Sequence, residues 1–197
     1  MSMAATCLML LTLALRASLI IPLVYGSDND SDKQALVAFK KSLTDPDNAL
    51  QSWDGSGNPC NWTNIYCKNN RVTTVMLGHT NLGGHLVPEL GGLSALEYLS
   101  VFNNKIEGTI PAELGNLEKL QVLGLSENQL SGGIPPSLGN LKSLNLLLLD
   151  SNRLTGEVPS EIANLPNLNR ANFSNNIDLC WNFWPTPTFV GNYTLCK

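Results

Sequence analysis

Residues 93–164 read as three successive lines: LSALEYLSVFNNKIEGTIPAELGN (93–116), LEKLQVLGLSENQLSGGIPPSLGN (117–140) and LKSLNLLLLDSNRLTGEVPSEIAN (141–164). Asn104, Asn128 and Asn152 hold the same place in each line, and Asn176 falls at that place in the next, 24 residues on. When each unit is numbered from Leu93, Leu117, Leu141 and Leu165, apolar residues recur at positions 1, 4, 7 and 9. Positions 7 and 9 (Leu99 and Val101, Leu123 and Leu125, Leu147 and Leu149) are two apart, so on a strand both side chains point to one face. One such unit cannot enclose its own leucines. Like units stacked side by side build a continuous apolar column.

The predicted fold class is therefore a leucine-rich-repeat solenoid, with short parallel strands on one side and 3-10 or loop segments on the convex side. The expected boundaries are a signal peptide over 1–26, a helical N-terminal cap over 27–68, four full repeats and a partial fifth over 69–176, and a C-terminal cap over 177–197. The asparagine column (Asn104, Asn128, Asn152, Asn176) is expected to form a ladder inside the stack, bonding main-chain groups that the strands leave unpaired. Gly84, Gly108, Gly132 and Gly156 recur at position 16, where a sharp turn is expected and a Cβ would clash. Glu89, Glu113 and Glu161 recur once per coil, as a solvated convex face does and an acid/base pair does not. In the fifth unit position 7 shrinks to Ala171 and position 14 becomes Asp178, so the stack is expected to end near Asn176.

Both ends of the chain point to export. Residues 8–15 and 17–24 are apolar, and small or medium residues at 24–27 suit signal peptidase. Beyond Cys7 four cysteines remain, and four permit three pairings. Five stacked strands hold the ends of the solenoid roughly 20 Å apart, whereas bonded cysteines need Cα atoms within about 7 Å. The pairs expected are Cys60–Cys67 and Cys180–Cys196, one at each end. In the N-terminal cap a helix is predicted over 32–43, with Ser31 or Asp32 as its cap and Trp53 and Trp62 as bulk. At the other end Trp181, Phe183, Trp184, Phe189 and Tyr193 lie within the Cys180–Cys196 loop and are expected to cover Phe173 and Leu168. Asn29, Asn61, Asn172 and Asn192 head N-x-[ST] sequons and are candidate glycosylation sites.

Side chains at positions 6, 8 and 10 alternate with the buried leucines and line the concave sheet. A solvated face should be polar, yet this one carries Met76, Tyr98, Phe102, Val122, Leu146 and Leu148. These residues, with Thr74 and Ser100 among them, form the predicted partner-binding surface, anchored by Tyr98 and Phe102. With charged residues at 14% and a net charge of −4, nothing points to nucleic acid or an anionic membrane. No nucleophile–base pair, metal-ligand cluster or phosphate loop is recognisable, so the expectation is a binding protein, not an enzyme, without cofactor or metal.

The segments DPDNALQSWD (45–54), NPCNW (58–62) with Cys67, LGGHLVPELGGLSALEYLSVFNN (82–104) and NNIDLC (175–180), in that order, resemble the ectodomain of plant somatic embryogenesis receptor-like kinases. That resemblance implies a protein partner, a receptor-kinase ectodomain, met through the N-terminal cap and first strands, with Tyr98 and Phe102 standing where the family has aromatics. Thr63-Asn64 replaces the family's Phe-His pair, and Ser126 its third-repeat tyrosine. The family's proline-rich hinge, membrane span and kinase have no counterpart in the sequence. The resemblance thus implies a secreted repeat protein of the apoplast or cell wall, binding receptor ectodomains as a co-receptor-like adaptor or competitor in signalling or defence. The alternative is an inhibitor of a cell-wall-degrading enzyme, similar to polygalacturonase inhibitors.

Overall fold

The computed structural model describes residues 28–176, 178–182, 189–191 and 195–196. The predicted signal peptide, Asn192 and the aromatics Phe183, Trp184 and Tyr193 lie outside the described residues. Helix α1 (Asp28–Ser42) opens the chain. The strands that follow are β1 (Leu43–Thr44), β2 (Ile65–Lys68), β3 (Arg71–Met76), β4 (Gly83–His85), β5 (Tyr98–Ser100), β6 (Lys105–Gly108) and β7 (Val122–Gly124). Then come β8 (Gln129–Gly132), β9 (Leu146–Leu148), β10 (Arg153–Glu157), β11 (Arg170–Asn172), β12 (Asp178–Cys180) and β13 (Phe189–Val190).

The repeats stack as neighbouring parallel coils. β3, β5, β7, β9 and β11 pair in parallel with each coil's residues in the same register: Thr74 beside Tyr98, Val122, Leu146 and Arg170. The position 7 and 9 side chains (Leu99, Leu123, Leu147; Val101, Leu125, Leu149) point inward and are fully buried. Each coil returns on the convex side through a 3-10 turn at Pro88–Gly92, Ala112–Asn116 and Pro136–Asn140, and through a one-turn helix α2 (Ser160–Ala163) in the fourth. The prolines at 111, 135 and 159 cap these turns with extended backbone, where no ladder donor is needed.

Three features differ from the sequence-based expectation. The concave sheet has seven strands, not five, because β2 joins β3 as an antiparallel hairpin and β13 adds to β11. A second sheet, in the order β1-β4-β6-β8-β10-β12, runs along the flank just after the asparagines. Its parallel pairs come from the short segments between Asn and Gly, such as Lys105–Gly108, too brief for an alternating pattern to stand out. Finally, the fifth coil is more complete than its sequence suggests: β11 keeps full register and β12 pairs with β10.

Position 16 is glycine mainly for conformation. Gly84, Gly108, Gly132 and Gly156 all have φ between 73° and 95°, a region costly for any residue with a Cβ. At Gly156 a Cβ would meet nothing within 4 Å, so the expected clash is absent there. At Gly84 it would run into Ser42 O and come within 2.9 Å of Leu43 Cα, where β1 crosses.

The asparagine ladder is built as a two-coil brace. Asn128 Nδ2 donates to Leu125 O of its own coil (3.2 Å) and to Val101 O of the preceding one (2.9 Å), while its Oδ1 accepts from Ile106 N (3.0 Å). Asn152 repeats this with Leu149 O, Leu125 O and Leu130 N, and Asn176 with Phe173 O, Leu149 O and Leu154 N. Asn104 opens the series on Val101 O, Leu77 O and Leu82 N.

The N-terminal cap is fixed by a buried carboxylate near the start of α1. The helix begins at Asp28, so Ser31 and Asp32 lie within it and do not cap it. Asp32 is fully buried and takes Nε and Nη2 of Arg71 in a fork (both 3.0 Å), together with Val72 N (2.9 Å). Trp53 and Trp62 stack beneath (centroids 5.6 Å apart), and Cys60–Cys67 ties the loop down. At the far end Cys180–Cys196 closes a cap in which Phe173, Trp181 and Phe189 pack with centroids 5.4–5.8 Å apart.

Candidate functional site

The concave sheet carries three rows of outward side chains. Along the first lie Tyr66, Thr74, Tyr98, Val122, Leu146 and Arg170, set beside one another by strand register. The second holds Met76, Ser100, Gly124, Leu148, Asn172 and Val190. Gly78, Phe102, Ser126, Asp150 and Ser174 continue as the third, two residues past the strand ends.

Of the predicted contact residues, Met76 (45%) and Phe102 (36%) are exposed, while Thr74, Tyr98, Val122, Leu146 and Leu148 are half-buried. Phe102 lies over Gly78, and its ring meets that of His79 edge to face, 4.4 Å between centroids. Ser100 does not belong to the surface. It is only 4% exposed, because a short side chain sinks between Met76 on β3 and the larger Tyr98 and Phe102 along its own chain. Ser126 is buried too and donates to Asp150 Oδ1 (2.6 Å).

Tyr66 is the functional candidate that pattern reading missed. At 56% exposure it is the most exposed aromatic among the described residues, and β2 sets it directly opposite Thr74. A signal was available. Asn69 and Asn70 both adopt positive φ (51° and 60°) between β2 and β3, as a two-residue hairpin turn requires, and Asn-Asn suits that turn. With the hairpin recognised, Tyr66 falls on the concave row. The site thus gathers Tyr66, Met76, Tyr98 and Phe102 at the N-terminal half, and a flatter half follows with Leu146, Leu148 and Arg170.

The candidate glycosylation sites separate on geometry. Asn61 is exposed at the end of a 3-10 turn (Pro59–Asn61), and Asn172 is half-buried on the concave sheet. Asn29 is withdrawn. It is 7% exposed, and its Nδ2, the atom a sugar would take, donates to Asn70 O (2.8 Å), Asn58 Oδ1 (3.1 Å) and Cys60 Sγ (3.5 Å).

Comparison with known proteins agrees with this architecture. The leucine rich repeat N-terminal domain family matches residues 29–68, and the leucine rich repeat family matches 95–117, 119–141 and 143–165. Leucine-rich repeat protein 1 of Arabidopsis thaliana is 49% identical over 87 residues, 43% of this chain and 40% of its own length. The chain thus spans less than half the length of the curated relatives it matches. Among solved structures, the BIR2 ectodomain of Arabidopsis thaliana aligns at 33% identity and a TM-score of 0.72, over 84% of this chain and 94% of that one. A chain of the BIR3–SERK2 complex from the same plant aligns at 31% identity and a TM-score of 0.70, over 83% and 94%. Among the described residues no helix is long and apolar enough to cross a membrane. With its N-terminal cap domain and its repeats matched, and 94% of each of two solved plant chains covered, one of them the BIR2 ectodomain, the chain belongs to the plant extracellular leucine-rich-repeat proteins of the receptor-ectodomain type.

Proposed function

We propose that the protein is a secreted recognition module that docks the ectodomain of a receptor kinase in the apoplast or cell wall, acting as a co-receptor-like adaptor or as a competitor for that position. The observation that carries this reading is the cluster of Tyr66, Met76, Tyr98 and Phe102 on the solvent side of one sheet, three of them exposed and none required by the core. Large aromatic side chains bury much area at little cost in conformational entropy, and a flexible thioether adapts to the partner's surface, so both suit an interface. A solved match taken from a complex, BIR3–SERK2, is in keeping with a protein partner.

Seven strands at about 4.8 Å spacing by about five residues give a face of roughly 29 by 17 Å. That is still short of the about 800 Å² per partner of a standard interface. The partner therefore also meets the rim, and the N-terminal cap is the rim nearest the aromatic half.

The test is interferometry between the full secreted chain and a panel of plant receptor ectodomains, with pectin-degrading hydrolases as the competing panel. Tyr98→Ala/Phe102→Ala should weaken the best ectodomain at least about 30-fold, as loss of two hot-spot aromatics does. Affinity retained within twofold, or binding to a hydrolase in place of any ectodomain, overturns the reading.

A further inference from the structure

The C-terminal half of the concave sheet also presents apolar side chains. Leu148 and Val190 flank Asn172 in one row, held there by the pairing of β9, β11 and β13, and Val190 is 38% exposed. We propose that Asn172 carries an N-linked glycan, and that its first sugars roof this half of the sheet and leave the N-terminal aromatic half bare. The proposal shares with the functional reading the premise of secretion, and depends on no partner.

The chemistry is transfer from an oligosaccharyl diphosphate donor. A bond forms between Asn Nδ2 and sugar C1, the bond from C1 to the diphosphate oxygen breaks, and the proton lost from Nδ2 leaves with the diphosphate. Transfer acts on the chain before it folds, so the folded structure decides which modified asparagines it accommodates.

Asn29 and Asn172 are opposite cases. At Asn29 the acceptor Asn70 O fixes Nδ2 pointing inward, where it holds α1 to the disulfide loop. A sugar there leaves one N–H for three acceptors and has no room, so the cap cannot close. At Asn172 the Ser174 N–H, which can only donate, fixes Oδ1 toward the chain (3.2 Å), and Ser174 Oγ donates to the same oxygen (2.7 Å). That leaves Nδ2 with no hydrogen-bond partner among the described residues, on a half-buried side chain at the sheet surface. The sequon's own serine thus turns the reactive nitrogen away from its backbone. The C–H face of the first sugar ring then has an apolar seat on Leu148 and Val190, which accounts for these two apolar side chains beside Asn172 in a half of the sheet that also presents Asp150, Arg170 and Ser174.

The full chain should be expressed through a eukaryotic secretory pathway and its glycopeptides mapped by mass spectrometry without reduction. Asn172 is expected to be occupied in most molecules, and Asn29 in none that carry the Cys60–Cys67 bond. Asn172 empty in most molecules, or Asn29 modified in the disulfide-bonded protein, overturns the proposal whatever the protein binds. Asn172→Gln, with Ser174→Ala as a second route to the same loss, should raise apolar-dye fluorescence severalfold while leaving ectodomain affinity within twofold. A dye signal unchanged in both variants refutes the roof. Failure of the Tyr98→Ala/Phe102→Ala test, by contrast, touches only the docking site.

Discussion

Replacing Asn128 by alanine tests whether the stack is braced coil to coil or merely packed. The side chain serves four main-chain groups, but they do not lose equally: Ser126 O, 3.1 Å from Asn128 Nδ2, keeps the Asn103 N–H (3.0 Å). Val101 O keeps a second donor in Asn104 Nδ2 (2.9 Å), and Leu125 O keeps Asn152 Nδ2 (2.9 Å). Ile106 N has Asn128 Oδ1 as its acceptor (3.0 Å) and loses it inside the core, where water does not reach. One stranded buried donor costs about 1–3 kcal/mol, so Asn128→Ala should cost about 2 kcal/mol.

Doubling the substitution separates the brace from packing. Asn128 and Asn152 share Leu125 O, so removing both strips that carbonyl of both side-chain donors. The double variant should fall below the sum of the singles by about 1 kcal/mol, the scale of one further unsatisfied group. Asn104 and Asn152 share no carbonyl and sit two coils apart, so their effects should add to within about 0.5 kcal/mol. Urea unfolding followed by circular dichroism, with the slope held common, gives all five free energies. Equal additivity in the neighbouring and spaced pairs would refute the shared-acceptor argument, as would a cost for Asn128→Ala below about 0.5 kcal/mol.

Other positions yield sharper local tests. Asp32→Ala removes the acceptor of the Arg71 fork and of Val72 N at a fully buried site, and should cost about 3–5 kcal/mol in urea unfolding. A loss under about 1 kcal/mol would mean that the pair is not structural. Gly156→Ala should lower stability by only the about 1–2 kcal/mol of left-handed backbone, whereas Gly84→Ala should cost clearly more, since its Cβ meets Ser42 and Leu43; equal losses contradict this. The Asp54 carboxylate is held below its ordinary value of 3.8, first by the Ser56 N–H and then by the Ser56 hydroxyl. A depressed carboxylate contributes stability that is present above the unfolded value and lost as pH falls through the folded one. An NMR titration midpoint at or above 3.8 would dismiss that turn.

Periodicity made the core and the ladder legible because both depend on residues that repeat in step with the coil. Leu99, Leu123 and Leu147 announce an inward face by identity alone, and Asn104, Asn128, Asn152 and Asn176 announce a shared task by spacing. The features that escaped are those set by one-off pairings. Tyr66 belongs to no repeat, and its place on the concave face follows from a hairpin closed by two left-handed asparagines. Ser100 carries the right position number yet is covered, because accessibility depends on the size of its neighbours and not on which way the strand points. Asn29 reads as a sequon locally, while its burial is decided by Asn58 and Asn70, far along the chain.

The same logic explains the apparent decay of the fifth unit. A leucine at position 7 is replaced by Ala171, which read alone signals a stack running out of core. In the fold Ala171 pairs directly with Phe189 of β13, and Phe189 stacks on Phe173 (5.8 Å) and meets Trp181 (5.5 Å). The volume that a sixth repeat would have filled with leucines is filled instead by the rings of Trp181 and Phe189, which close over Phe173 of the fifth coil. Those rings are larger than leucine, so the position facing them must be smaller if density is to stay near that of a normal interior. Asn176 still takes Phe173 O and Leu154 N, and β12 still extends the flank sheet, so hydrogen bonding continues past the point where the leucine pattern stops. The shrinkage at 171 is thus a fit to the cap. It also fixes where β13 lies, and with it the seating of Val190 beside Asn172 at the end of the concave row.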